Sequence, residues 1–360
     1  MNLILKAKLM STNQIQEVFL RKKKKNRIEF EANSKDWYNG AYGFDNYKNS
    51  KKGCCNEKSL ENIYECYENI AGKKYYTPWL CAPKGEKIIL KIEMDGDGKT
   101  QEIHDCEISF SPNVLSKNIK QVEIVCNSYL KENKKIEFFI DNQIVGAINF
   151  YPNIIKQAII KVCYVGMNFD NLRLLKKQCN LSLIKEWLYI AFHQVAIEFN
   201  YQETDLILSH NVVEFLKKKD VFIDNDNVTR NDKPRKVLMQ CLRNELMLKK
   251  SIVQSSGEII LFLTPFQCKS YEAENVIYSN GISSSEEGLS LMFLGNQCEP
   301  KGEIPHEIMH CLGLEHTFFE KNEIKYNKSS TKNFMDYDNS KKITFKWQWD
   351  IMRKSSFLDM

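Results

Sequence analysis

Residues 305–318 read PHEIMHCLGLEHTF and hold three of the six histidines in a chain of 360 residues. If His306 to Leu314 form a helix, His306 and His310 lie four residues apart on one face, about one turn from each other. Both imidazoles can then reach one cation, and zinc favours such nitrogen ligands in tetrahedral geometry. Glu307 sits beside the ion rather than on it, where a carboxylate can take a proton from water that the ion has acidified. His316 is six residues beyond His310, so an unbroken helix would carry it roughly 9 Å further along the axis and turn it away. The helix must therefore break, and Gly313 permits the break, because glycine tolerates positive φ and commonly ends helices. Three imidazoles leave a fourth metal position open, as catalysis needs and a structural site does not. The competing reading is an ordinary amphipathic helix whose histidines share no ion.

The elements that must position these residues differ between the two halves of the chain. From about 86 to 166 the sequence reads as short strands: KIILKIEM, QEIHDCEISF, QVEIVCN, KIEFFID, QIVGAINF and QAIIKVCYV. Apolar and polar residues alternate and the breaks carry Gly, Asn, Pro and Lys, which predicts an antiparallel sandwich. Residues 1–85 carry aromatic islands, WYNGAYGFDNY and YYTPWL, and are grouped with that domain. After Gly166 helical and strand patterns alternate, as in a layered α/β domain. A buried helix is expected over 181–199, a strand over 205–210 and a second helix over 234–250 with Pro234 near its start. Strands are expected over 257–265 and 288–295. The domains expected are 1–165, β-rich, and 166–360, which carries the histidines.

HEIMHCLGLEH resembles the metzincin zinc-binding motif, HExxHxxGxxH, and NFMDYD (333–338) resembles the methionine turn that lies beneath the metal in that family. The wording is most similar to pappalysin-like metzincins, in LGLxHTF through the third histidine and NxMDY at the turn. The helix-like ITFKWQWDIMRK (343–354) resembles the one that closes such domains. The resemblance implies an α+β chain, with a metzincin-like α/β catalytic domain behind a sandwich-like one. It implies a zinc endopeptidase with Zn2+ on His306, His310 and His316 and Met335 forming the floor. Glu307 would be general base and then proton donor to the leaving amine. Tyr337 matches a tyrosine that approaches the metal or the tetrahedral intermediate in some metzincins; packing under the turn is its other reading. A protein or peptide substrate would lie extended along 288–295. The sequence departs from the family in Pro305, which suggests a helix that starts late, and in lacking the subfamily's cysteines between His316 and Met335 and its calcium loops.

A net charge of +5 is mild and calls for neither nucleic acid nor membrane. No apolar run of 18 residues suggests a transmembrane helix. The N-terminal MNLILKAKLMSTNQ has lysines where a secretory leader is apolar, so a Sec signal is not expected. That leaves a cytoplasmic chain or export by a non-Sec route. A β-rich front and a zincin tail also resemble bacterial effector or toxin chains, whose secretion machinery would be a partner. In that alternative the N-terminal domain is a binding or delivery module, or else a pro-segment. Twelve cysteines without a CxxC spacing read as buried thiols rather than disulfides. RKKKKNR (21–27) reads as a solvated loop or an anion-binding run, and MDGDGKT (94–100) as a hairpin turn rather than a calcium loop. His193 reads as a core residue, and no switch motif surrounds Cys81 to make it a thiolate cap on the metal.

Overall fold

The computed structural model describes residues 26–358, except 225, 253, 256, 273, 274, 297, 298 and 339. The N-terminal MNLILKAKLMSTNQ and most of RKKKKNR lie outside the described residues. The fold is mixed α and β, with a β-rich N-terminal part and an α/β C-terminal domain. Two compact units separate: residues up to Asn33 with 64–152, and residues 34–63 with 153–360. The second unit thus includes a segment from the N-terminal third, and its first central strand begins ahead of the 165/166 cut read from the sequence.

In the first unit the strands are β1 (Arg27–Ala32), β2 (Cys66–Ile70), β3 (Lys73–Tyr76), β4 (Trp79–Cys81), β5 (Lys87–Asp95), β6 (Ile108–Ser111), β7 (Gln121–Cys126), β8 (Lys134–Ile140) and β9 (Gln143–Phe150). One sheet runs β1-β5-β7-β6, and another contains β4-β9-β8. Strand β5 alternates exposed and buried residues without a lapse, so one face of its sheet meets a core and the other meets water. Aromatic rings close the sandwich between the sheets: Phe30 and Phe110 of the first lie 5.1 and 5.7 Å from Phe138 of the second. Residues 94–100 do not form the expected hairpin. Strand β5 pairs with β1 and β7, while β6, the next strand, pairs only with β7. Asp97 is ion-paired with Lys117 at 3.3 Å. QEIHDCEISF is a strand only from Ile108, because the side chain of Asp105 accepts from the amides of Glu107 and Ile108 and holds a turn there.

In the second unit the elements are β10 (Lys156–Gly166), α1 (Phe169–Gln178), α2 (Leu181–Phe192), β11 (Ile197–Ile207), α3 (His210–Lys218), β12 (Asn227–Thr229), α4 (Asp232–Lys250), β13 (Glu258–Thr264), β14 (Gln267–Glu272), β15 (Asn275–Tyr278), β16 (Gly281–Ser284), β17 (Leu289–Phe293), α5 (Pro300–Cys311) and α6 (Lys346–Met352). The main sheet has the order β11-β10-β13-β17-β16, parallel except for β16. Strand β13 is buried at every position, as a parallel strand covered on both faces must be. Helix α4 covers one face, where Leu238 and Leu242 join Val165, Phe262 and Leu291 in a core. Residues 34–63 pack elsewhere on the same unit. Gly43 lies so close to the carbonyl of Gln194 that a Cβ would meet it at 2.0 Å.

The helix expected over 181–199 ends at Phe192. A short 3-10 turn follows, Ala196 takes a positive φ of 53°, and the chain enters β11, which is why the expected strand at 205–210 starts earlier and stops at Ile207. The run is apolar because a buried helix and a strand are joined without a polar loop, a pattern periodicity does not resolve. The stretch 288–295 is not the sheet edge. Strand β17 has β13 on one side and β16 on the other, so its main chain is already paired and no substrate can lie along it. The edge strand on this side of the sheet is β16.

Candidate functional site

Helix α5 starts at Pro300, not late at Pro305. Pro300 occupies the first turn, where a missing amide costs nothing, and Pro305 lies inside the helix. The helix packs against α2 and β16 and buries Ile304, Ile308 and Met309 completely. It ends where the spacing of the histidines demands. Gly313 has φ +94°, its amide donates to the carbonyl of His310, and the amide of Leu314 donates to that of Met309. Those two bonds are a Schellman cap. A Cβ on Gly313 would meet only Ile351, at an ordinary 3.7 Å, so the backbone angle and not space demands glycine.

The reversal brings His316 back to its two companions. The three Nε2 atoms stand 3.2, 3.2 and 3.3 Å apart. In a tetrahedral site with metal–nitrogen distances of about 2.0–2.1 Å, neighbouring nitrogens are about 3.3–3.4 Å apart, so the donor set fits Zn2+. Among the described residues this is the group able to hold a metal, and no cysteine joins it; Cys81 is a buried residue of β4 in the first unit. Two of the other nitrogens are tied behind the site. The Nδ1 of His306 lies 2.7 Å from the carbonyl of Phe334, and that of His310 lies 2.6 Å from the carbonyl of Leu314. An Nδ1–H donating to a carbonyl leaves Nε2 as a lone pair aimed into the cluster. Burial is the main cause that pushes all three imidazoles below their usual pKa, His316 to about 3, so they stand neutral, ready to ligate.

The turn at Met335 is fixed from beneath. Met335 is fully buried; its amide donates to the side-chain oxygen of Asn333, and its carbonyl accepts from the amide of Thr317, next to the third histidine. The carboxylate of buried Asp336 accepts from the amides of Ser329, Thr331 and Tyr337 and from the Thr331 hydroxyl at 2.7–2.8 Å. Asn333 exchanges two side-chain hydrogen bonds with Gln348 of α6. The segment from the N-terminal third joins this support: the amide of Cys55 donates to the carbonyl of Lys325, and Asn327 returns a bond to Gly53. Tyr337 lines the cleft, its ring edge-on to His316 at 4.9 Å, with the ammonium of Lys328 4.8 Å from its centroid.

Glu307 faces the same cleft, of about 740 Å³. Burial raises its pKa to about 7 against the opposing hydrogen bond from Ser283, whose hydroxyl donates to Oε2 at 2.6 Å. A Cβ on Gly281 would meet the Glu307 carboxylate at 2.6 Å, so the edge strand must be glycine where the carboxylate lies against it. One turn back on α5, Glu303 pairs with Lys341 at 2.6 Å, with only 5% of the lysine side chain exposed. His306, His310, His316, Glu307, Met335 and Tyr337 are therefore all gathered in one place. His193 is a buried residue stacked on Tyr189, as read from the sequence. The sequence reading missed Gly281, Ser283, Asp336 and Gln348. Asp336 stood inside the NFMDYD phrase, whereas a serine in GISSSEE carries no signal of its role.

No family model matches the chain, and no curated protein matches it. Solved structures do. Archaemetzincin from Archaeoglobus fulgidus, complexed with malonate, is 14% identical over 53% of this chain and 90% of its own, with a TM-score of 0.25. A zinc-dependent peptidase from Methanocorpusculum labreanum is 14% identical over 53% of this chain and 98% of its own, at 0.24. Metalloproteinase-II from Bacteroides fragilis is 10% identical over 79% of this chain and 88% of its own, at 0.30. At these identities and TM-scores the likenesses carry no argument, and the chemistry is read from the site itself.

Proposed function

We propose that the chain is a zinc-dependent endopeptidase of metzincin type. The observation that carries this reading is the triangle of Nε2 atoms with sides of 3.2–3.3 Å, with Glu307 on the same cleft. His306, His310 and His316 would hold Zn2+, which when bound polarises a scissile carbonyl and acidifies water. The buried Glu307 carboxylate would then take a proton from the attacking water and return it to the leaving amine. Ser283 holds Oε2, and Oε1 lies against Gly281 of the same strand, so both oxygens are positioned from the roof of the cleft. An extended peptide would add to the outer edge of β16, the terminal strand of its sheet, through main-chain hydrogen bonds. Tyr337, beside His316, would meet charge developing on the reacting carbonyl.

Glu307→Gln tests this directly. Loss of a positioned general base costs about 100- to 10,000-fold, so a peptide-library digest should fall by that factor while the zinc content stays at the wild-type level. Full hydrolysis by the zinc-loaded variant would remove Glu307 from the mechanism.

A further inference from the structure

Two of the three ligand imidazoles are oriented by a carbonyl behind the ring, and the third is not. The carbonyls of Phe334 and Leu314 take the Nδ1 atoms of His306 and His310. Among the described residues, the Nδ1 of His316 has no such partner. The backbone that carries His316 is well held. Its carbonyl accepts from the side-chain amide of Asn322 at 2.6 Å and from the amide of Phe319. Next to it, the amide of Thr317 donates to the carbonyl of Met335, and the carbonyl of Thr317 accepts from the amide of Tyr326. These bonds fix where the side chain starts. They leave the rotation of its ring undecided, and a ligand nitrogen reaches the ion only at one rotation.

Other rings set that rotation. Phe318 lies two residues on, 4.9 Å from the His316 ring and within 11° of parallel to it. Tyr337 meets the same imidazole at 4.9 Å and 75°, and Phe318 meets Tyr337 at 4.9 Å and 66°. One neighbour nearly parallel and one nearly perpendicular define the plane of the imidazole, and both are preferred geometries for ring pairs. The ammonium of Lys328 lies over both supporting rings, 4.8 Å from the centroid of Tyr337 and 5.6 Å from that of Phe318. The backbone on either side of Lys328 is pinned in turn: the amide of Asn327 donates to the carbonyl of Gly53, and the amide of Ser329 donates to the buried Asp336 carboxylate.

We infer that Phe318, braced against Tyr337 by Lys328, is the positioning residue for the third ligand, its ring doing for His316 what the two carbonyls do for His306 and His310. The inference rests on the metal site of the peptidase reading and adds how that site orients the one ligand its main chain leaves unheld.

The test is zinc affinity of the full-length protein, measured by competition with a chromophoric chelator, in a double-mutant cycle of Phe318→Leu and His316→Ala. Phe318→Leu keeps an apolar side chain and removes the ring. It should weaken zinc about tenfold, the effect of losing a group that orients a ligand. Phe318→Tyr, which keeps the ring, should hold zinc as the wild type does. In His316→Ala protein, Phe318→Leu should weaken zinc no further, since the ring then has no ligand to orient. Lys328→Met should weaken zinc about threefold, again only while His316 is present. Equal losses from Phe318→Leu with and without His316, or no loss with it, would overturn the inference and make Phe318 ordinary packing. Failure of the peptidase reading has a different signature. Wild-type protein that takes up no zinc defeats both, whereas protein that shows the coupling and cleaves no peptide defeats the reading alone.

Discussion

The floor of the cleft is α5 with the turn at Met335, and its roof is β16 with the start of α4. In the floor, two of the three metal-facing imidazoles have a main-chain partner behind them. His306 is held from Phe334, His310 from Leu314, and the turn itself by four donors on the Asp336 carboxylate. In the roof, Glu307 meets one hydroxyl and the bare backbone of one glycine, and Arg235 reaches the strand through Ser279 and Gly281. The floor is built to hold positions to fractions of an ångström, as a ligand set requires. The roof is an edge whose hydrogen-bonding groups must stay available to another chain. Rigidity belongs to the side that binds the ion, and adaptability to the side that meets the substrate.

The largest effect expected is in the floor. Asp336→Ala leaves three amides and a hydroxyl without their acceptor, the two donors of Thr331 in a buried place. Stability should fall by about 3 kcal/mol, read in urea unfolding, with zinc affinity falling in parallel. A variant that unfolds at the wild-type midpoint would remove the contrast. Ser283→Ala is the matching change in the roof. It removes a hydrogen bond to a carboxylate that nothing else in the fold hangs from. The unfolding midpoint should not move, while kcat falls about tenfold through looser placement of Glu307. A loss of stability as large as that of Asp336→Ala, with unchanged kcat, would mean that the roof is as structural as the floor.

Those two sides were not equally readable. The floor is nearly continuous in sequence, and its metal geometry follows from helical pitch: His306 and His310 are a turn apart and His316 needs a break, so Gly313 could be assigned before any coordinates. Its second support, Asp336 with Asn333 and Gln348, was hidden because a buried acid looks like any surface acid until its donors are known. The roof is assembled from residues 230–285, which no local spacing links. Gly281 and Ser283 acquire their roles only when β16 turns back on β17, and the apolar run 288–295 drew attention to the interior strand instead. The sandwich strands of the first unit were clear because their alternation is a local property, whereas the helix-to-strand passage at 192–197 was not, since both elements there are buried.

A smaller effect sharpens the case for the floor. Gly313→Ala should cost about 1 kcal/mol, the penalty of a Cβ at positive φ with no steric clash added. Zinc affinity should weaken with it, because the carbonyl of Leu314 that holds His310 is part of the same turn. Unchanged affinity in a destabilised variant would detach the turn from the ligand set.

Coordination of a single ion by all three imidazoles is tested most directly by X-ray absorption at the zinc edge on the purified full-length protein, together with its metal content. The account predicts about one zinc per chain with three imidazole nitrogens at about 2.0–2.1 Å, and loss of one of the three in His316→Ala. No stoichiometric metal, or a first coordination sphere that His316→Ala leaves unchanged, would contradict it.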